Sequence, residues 1–176
     1  MSRQTDVFSS NLWKESFKNF YKNHSKRFWH FILKTCGDLG MAEDIFQESF
    51  FRFLRSSPIG LNEHQQKSYL YKVAYRLILD QKKKIQTERK YQSRVYEEPT
   101  PDANPFLSSR MEDLFRHLKP KERSLLWLAY AEGFSHREIS RLTKDREKSV
   151  KVQIFRVKKK FAAILKQQGY TWEDFK

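Results

Sequence analysis

From Trp13 to Ile32 the large residues Trp13, Phe17, Phe20, Tyr21, Phe28, Phe31 and Ile32, with His24 among them, recur at three- and four-residue steps. That is the period of one helix face, and Gly37 marks its end. A second helix is predicted from about Met41 to Arg55, with Ala42, Phe46, Ser49, Phe50, Phe53 and Leu54 as its buried stripe. Ser56, Ser57, Pro58 and Gly60 stop it. The third runs from about Glu63 to Lys90 and buries Leu70, Val73, Ala74, Leu77 and Ile78. The pattern restarts at Phe106, with Leu107, Met111, Leu114, Phe115 and Leu118 on one face, and Pro120 sets the first turn of the next helix. That helix ends around Gly133, and Ser135 with Glu138 forms an S-x-x-E capping box that starts a short one. After a turn near Thr143 to Arg146 comes a long basic helix whose Val150, Ile154, Val157, Phe161, Ile164 and Leu165 face inward. Two helices about a tight turn, the second very basic, predict helix-turn-helix.

Between these halves Pro99, Pro101 and Pro105 disfavour helix at and before their own positions, so this stretch reads as a linker. Its Glu97, Glu98 and Asp102 suit either a positively charged channel or a solvated tether. The expected fold is all-α: a helical domain over 8–91, a Pro-rich linker over 92–109, a second helical domain over 110–168 and a tail over 169–176. Five Gly and five Pro in 176 residues agree with that, because turn-rich barrels and sandwiches need more.

Charge adds a partner. With 35 Lys plus Arg against 21 Asp plus Glu the chain carries +14, which favours a polyanion. Aromatics at 15% separate it from a disordered basic tail. A lone cysteine, Cys36, excludes an internal disulfide framework and reads as an inert small residue. No apolar run reaches the length of a membrane span, and MSRQTDVFSS has no signal-peptide core, so a soluble, cytoplasmic protein with no membrane insertion is expected. His24, His30, His64, His117 and His136 are scattered, and HExxH, CxxC and phosphate-cradling glycine loops are absent. No catalytic residue, cofactor or metal is therefore expected, and the chain reads as a non-enzyme.

Three surfaces carry candidate function. On the second helix, Met41, Asp44, Gln47, Glu48, Phe51, Arg52 and Arg55 project away from the buried stripe. An exposed Phe51 ringed by acids and an amide suits a protein contact; packing on the linker or another helix would explain it as well. On the third helix Lys72, Arg76, Asp80 and Lys83 face outward, flanked by Tyr69, Tyr71 and Tyr75, with Lys82 and Lys84 beside them. Cations that track phosphate between rings that stack on bases suit single strands; a solvated face with tyrosines sealing the core edge is the alternative. On the last helix Lys148, Val152, Phe155 and Lys159 lie outward, with Lys151 and Arg156 beside them. There an exposed Val and Phe can meet thymine methyls while the cations reach guanine or phosphate; a solvated basic helix is the competing reading.

In their order along the chain, DLGMAEDIFQESFFRFL (38–54), SYLYKVAYRLILD (68–80), EGFSHREIS and SVKVQIFRVKKKF resemble the extracytoplasmic-function (ECF) sigma factors of bacterial RNA polymerase, from about Phe17 to Leu165. The resemblance implies region 2 for 8–91 and region 4 for 110–168, with the linker threading the RNA-exit channel. It implies core RNA polymerase docking at Asp44, Gln47, Glu48 and Phe51. It implies −10 opening, with capture of single-stranded bases, by Tyr69, Tyr71, Lys72 and Arg76, to which the outward face of the same helix adds Tyr75 and Lys83. It implies duplex −35 recognition by Lys151, Val152, Phe155 and Arg156, and the outward face of the helix adds Lys148 and Lys159. Many relatives are held by an anti-sigma partner, so an anti-sigma factor is a further candidate. Three positions depart from the pattern: Arg76 stands where many relatives have Asn, Lys144 where the turn usually has Gly, and Asp145 where it is usually apolar. The tail residues Tyr170, Trp172 and Phe175 have no fixed counterpart.

The competing readings are a free-standing helix-turn-helix regulator, for which the Asp44, Gln47, Glu48 and Phe51 cluster has no use, and a non-specific basic binder. In the last case Lys151→Ala or Arg156→Ala would weaken every duplex alike.

Overall fold

Helix α1 spans Ser2–Cys36 and stops where Gly37 enters the left-handed region at φ 71°, its N–H closing on the Leu33 carbonyl at 2.9 Å. The structure is a computed structural model that describes the backbone of residues 2–56, 60–91 and 114–170 and the side chains of 13–56, 60–88 and 114–170. The described residues are helical, with no strand among them. The linker, the apolar positions from Phe106 to Met111, and Trp172 and Phe175 lie outside them.

Each later helix is started by local chemistry. Helix α2 (Leu39–Ser56) opens at Asp38, whose Oδ1 accepts from the Met41 N–H at 2.7 Å. Helix α3 (Glu63–Tyr91) opens on a reciprocal pair: the Gln65 N–H donates to Asn62 Oδ1 at 2.9 Å and the Asn62 N–H to Gln65 Oε1 at 3.0 Å. Pro120 begins α4 (Pro120–Leu126), which runs on as a π-helical turn over Trp127–Ala131 and ends at Gly133, φ 72°. Ser135 caps α5 (His136–Thr143) as expected, with the Glu138 N–H donating to Ser135 Oγ and the Ser135 N–H to Glu138 Oε2 at 2.8 Å. Hydrogen bonds from Ser135 and then from His64 hold the Glu138 carboxyl down at about 2. Helix α6 (Glu147–Gln167) completes the helix-turn-helix.

The nonstandard turn before α6 is built from side chains. Lys144 takes the left-handed conformation, φ 63°, that glycine usually provides. Ser140 Oγ donates to the Asp145 carbonyl at 2.7 Å, the Asp145 N–H donates to Thr143 Oγ1 at 3.3 Å, and Lys121 Nζ pairs with Asp145 Oδ2 at 2.7 Å. Asp145 thus serves as a polar anchor for the turn. Lys144→Gly should stabilise the protein by about 0.5–1 kcal/mol, the relief of left-handed strain exceeding the entropy glycine adds to the unfolded chain. A shift in the urea midpoint at unchanged slope would register it.

The N-terminal group, α1 to α3, is built on aromatic rings. Phe20 stacks on Phe53 at 5.0 Å with planes 4° apart, and Phe28 meets Phe50 and Tyr71 edge-on at 5.5 and 5.1 Å. On α2 three positions depart from the periodicity reading. Leu54, expected in the buried stripe of α2, is 40% exposed, and Ile45 is buried instead; Met41, expected outward, packs against the core. The helices flanking α2 reach round to Ile45 and leave Leu54 at the rim. On α3, Val73 and Leu77 are half-buried, while Tyr71 and Tyr75 are buried.

The last departure has a tertiary cause. The C-terminal helices pack directly on the N-terminal group, and one apolar cluster joins Phe28, Phe31 and Tyr71 to Leu125, Leu128, Phe134, Ile139, Leu142, Val150 and Ile154. Phe134 sets its ring edge-on to Tyr71 at 5.7 Å. Arg123 secures the far end of the seam, its Nη1 donating to the α1 carbonyl of Lys34 at 3.0 Å and its Nε to the Leu118 carbonyl at 2.9 Å. Leu118, Leu126 and Val157 form a smaller cluster of the C-terminal group alone. Cys36 is buried, which pushes its thiol up to about 12.

Candidate functional site

The outer face of α2 holds Asp44, Gln47 and Phe51 exposed, with Phe51 at 59%, and Glu48 half-buried. Glu48 accepts from Arg52 Nε at 2.6 Å, one turn away. These four residues, with Ile45 and with Leu77 and Gln81 of α3, line an open groove of about 670 Å³. Periodicity placed Leu77 in the core and did not single out Gln81, because both join α2 only through the packing of α3. The groove combines an aromatic ring, carboxylates and amides, and that combination suits a protein partner on a basic chain.

Helix α6 presents Lys148, Lys151, Val152, Phe155, Arg156 and Lys159 exposed on its outer side, Phe155 at 67% and Val152 at 47%. Val150, Ile154 and Val157 hold the opposite side in the core. All six residues expected to read duplex DNA therefore share one accessible surface. Beside them Lys158 Nζ lies over the Tyr130 ring at 5.7 Å.

Helix α3 divides the third set. Arg76 and Lys83 are exposed, Lys72 and Tyr69 half-buried, and the Tyr69 ring packs at 6.2 Å from Phe53. The expectation of exposed rings fails at Tyr71 and Tyr75, which are almost inaccessible. Phe28 and Phe31 flank Tyr71 from below and Phe134 closes it from the C-terminal side. Burial first, then the adjacent Glu132 carboxylate, raises the Tyr71 phenol far above its usual range. Burial and then Asp145 push Tyr75 up to about 12. Neither ring can stack on a base while the C-terminal group lies on α3.

Sequence reasoning missed the residues of this seam. Glu132, its side chain 1% exposed, pairs with Lys67 Nζ at 2.7 Å and accepts from Trp127 Nε1 at 3.0 Å. Lys67 also donates to the Glu132 carbonyl at 3.2 Å and lies over the Phe134 ring at 5.1 Å. Arg27 Nη2 donates to the Ala131 carbonyl at 2.5 Å, and His64 bonds Glu138. The one local hint was a carboxylate closing the apolar run LLWLAYAEGF.

A family profile described as Sigma-70 region 2 matches residues 20–88, and one described as Sigma-70, region 4 matches 108–161. In order, they span well over half of the chain. The ECF RNA polymerase sigma factor SigL of Mycobacterium tuberculosis, found in several strains, is 25% identical over 158 residues, which are 86% of this chain and 89% of SigL. The chain belongs to the ECF sigma factors. This sigma factor therefore acts in transcription initiation, with a DNA-binding helix-turn-helix in region 4. Its fold matches the sigma factor RpoE of Bartonella quintana, solved in complex with the anti-sigma factor NepR. The TM-score is 0.72 at 18% identity over 86% of this chain and 98% of that one, so the likeness extends through both regions. Among the described residues no helix is long and apolar enough to cross a membrane.

Proposed function

We propose that this sigma factor docks on bacterial core RNA polymerase through Asp44, Gln47, Glu48 and Phe51, reads −35 as duplex with α6, and opens −10 with α3. Phe51 carries the reading: it is 59% exposed among carboxylates on a chain of net charge +14, a position that neither core packing nor DNA explains. Lys151, Val152, Phe155 and Arg156 supply groove contacts, with Lys148 and Lys159 toward the phosphates. On α3 the accessible residues for the displaced strand are Tyr69, Lys72, Arg76 and Lys83; Tyr71 and Tyr75 join them only if region 4 leaves. The division into region 2 (8–91), linker (92–109), region 4 (110–168) and tail (169–176) belongs to the same proposal, as do cytoplasmic action and an anti-sigma partner.

Binding of the purified full chain to bacterial core polymerase at moderate salt tests this, since salt suppresses loose charge attraction. Wild type should bind tightly, and Phe51→Ala should weaken binding by about 30-fold or more, the loss of a central contact residue. Glu48→Lys should weaken it too, although it makes the chain more basic. No binding to core, together with sequence-specific duplex binding, would favour the free-standing regulator.

A further inference from the structure

Lys14, Lys18, Lys22 and Lys26 stand four residues apart on α1, and all four are exposed. Each step advances about 6 Å along the helix and turns about 40° around it, so the four positions form a gently winding row about 18 Å long. Asn19 and Asn23, also exposed, lie beside the row, and Glu15 is the one acid from Trp13 to Cys36. Among the described residues none of these four lysines has an ion pair or a hydrogen bond. Elsewhere the chain sets opposite charges at this spacing, Glu48 with Arg52 at 2.6 Å and Lys84 with Glu88 at 4.0 Å. Like charges four residues apart destabilise a helix, and α1 carries three such pairs in succession. The positive field reaches the next position of the row: burial first, then Lys34 and Lys26, hold the His30 imidazole below its usual range. A row of cations that repel one another and find no partner within the chain is matched by an anion outside it.

We propose that α1 is a second DNA-binding surface of this sigma factor, on which Lys14, Lys18, Lys22 and Lys26, with Asn19 and Asn23, hold the phosphates of duplex DNA without reading its sequence. The row is as long as about five phosphate steps of one strand at about 3.4 Å each, so its lysines can follow a single backbone. A protein partner would call for an anchor such as Phe51 provides on α2, and a membrane surface for an apolar side that enters it. The large rings of α1 are engaged elsewhere: Trp13, Phe17 and Phe20 pack on Phe53 and Trp29 on Phe46, while Tyr21, 42% exposed, leans on Phe50 at 5.0 Å. Contacts to phosphate alone position a duplex and leave its selection to base-reading residues. Neither core docking by α2 nor −10 opening by α3 is needed for this contact.

Fluorescence anisotropy of the full chain on a labelled duplex of arbitrary sequence, from about 50 to 200 mM salt, tests the site. In Lys18→Gln/Lys22→Gln the plot of log affinity against log salt should be shallower by about 2, since each phosphate contact contributes about 0.9 to the slope, and affinity at the low-salt end should fall by about tenfold or more. Lys18→Arg/Lys22→Arg should behave as wild type, because arginine keeps the charge and pairs with phosphate. Arg55→Gln/Lys119→Gln removes the same charge from two other exposed positions and should leave the slope nearly unchanged. In urea Lys18→Gln/Lys22→Gln should be at least as stable as wild type, because it relieves like-charge repulsion. Wild type without duplex affinity, an unchanged slope in the glutamine pair on α1, an equal loss in Arg55→Gln/Lys119→Gln, a loss that the arginine pair shares, or a fall in stability would each overturn the site. A glutamine pair on α1 that keeps the duplex slope and loses core polymerase instead would overturn it as well, and give the row to a protein partner.

Discussion

Phe28→Ala should destabilise the protein by about 3–5 kcal/mol, the cost of emptying an aromatic site in a packed core. Phe28 is completely buried, and its ring lies within 6.5 Å, centroid to centroid, of Phe31, Phe46, Phe50 and Tyr71. Those rings belong to α1, α2 and α3, so the void would open where all three helices meet and no one helix could move in to fill it. Rings hold their positions by edge-to-face contacts, which a collapsed cavity would forfeit as well. Against a typical total of about 5–15 kcal/mol, such a loss leaves little margin. Urea denaturation would measure it, and Phe28→Leu, which fills much of the space, should cost markedly less. A loss below about 1 kcal/mol for Phe28→Ala would mean that the site relaxes freely and that the ring cluster is not the rigid centre described here.

For Glu132→Ala the expected loss is also about 3–5 kcal/mol, by a different mechanism, because removing one partner of a buried pair strands the other. Lys67, its side chain 15% exposed, would keep its charge without its carboxylate, and the Trp127 N–H would lose its acceptor. The damage falls on a seam. Lys67 belongs to region 2 and Trp127 to region 4, so weakening their junction should let the two regions unfold less cooperatively. The urea slope should then fall along with the midpoint, the mark of a transition that is no longer two-state. An unchanged slope with a loss below about 1 kcal/mol would show that water already reaches Glu132. Glu132→Gln, which preserves the neutral hydrogen bonds, should lie between wild type and alanine.

What could be read from the sequence was the local part. Gly37 and Gly133 stop helices, Pro120 and Ser135 start them, and the capping box of Ser135 and Glu138 has the geometry its spacing implied. The inward stripe of α6 left Lys148, Lys151, Val152, Phe155, Arg156 and Lys159 outward, and Phe51 stood out because a large ring among acids has no place in a two-sided pattern. These features depend on neighbours three or four residues apart, where helix geometry fixes which side chains meet.

Burial on α3 could not be read in the same way. Lys67, Tyr71 and Tyr75 share a face that periodicity marks as polar and aromatic, and nothing near them in the chain says what covers it. Phe134 and Glu132, the residues that do, come from the far side of the linker, and their contact with α3 exists only once region 4 has docked. Leu54 and Ile45 exchanged places for the same kind of reason: a helical wheel gives the width of the apolar stripe, but the directions of α1 and α3 decide which edge of it is sealed. The sequence by itself determined the helices, their ends and the two outward faces on α2 and α6, since each follows from short-range geometry. Only the tertiary structure decided that the two regions share one core and that the ring face of α3 is covered, because those contacts join residues whose proximity no local pattern encodes.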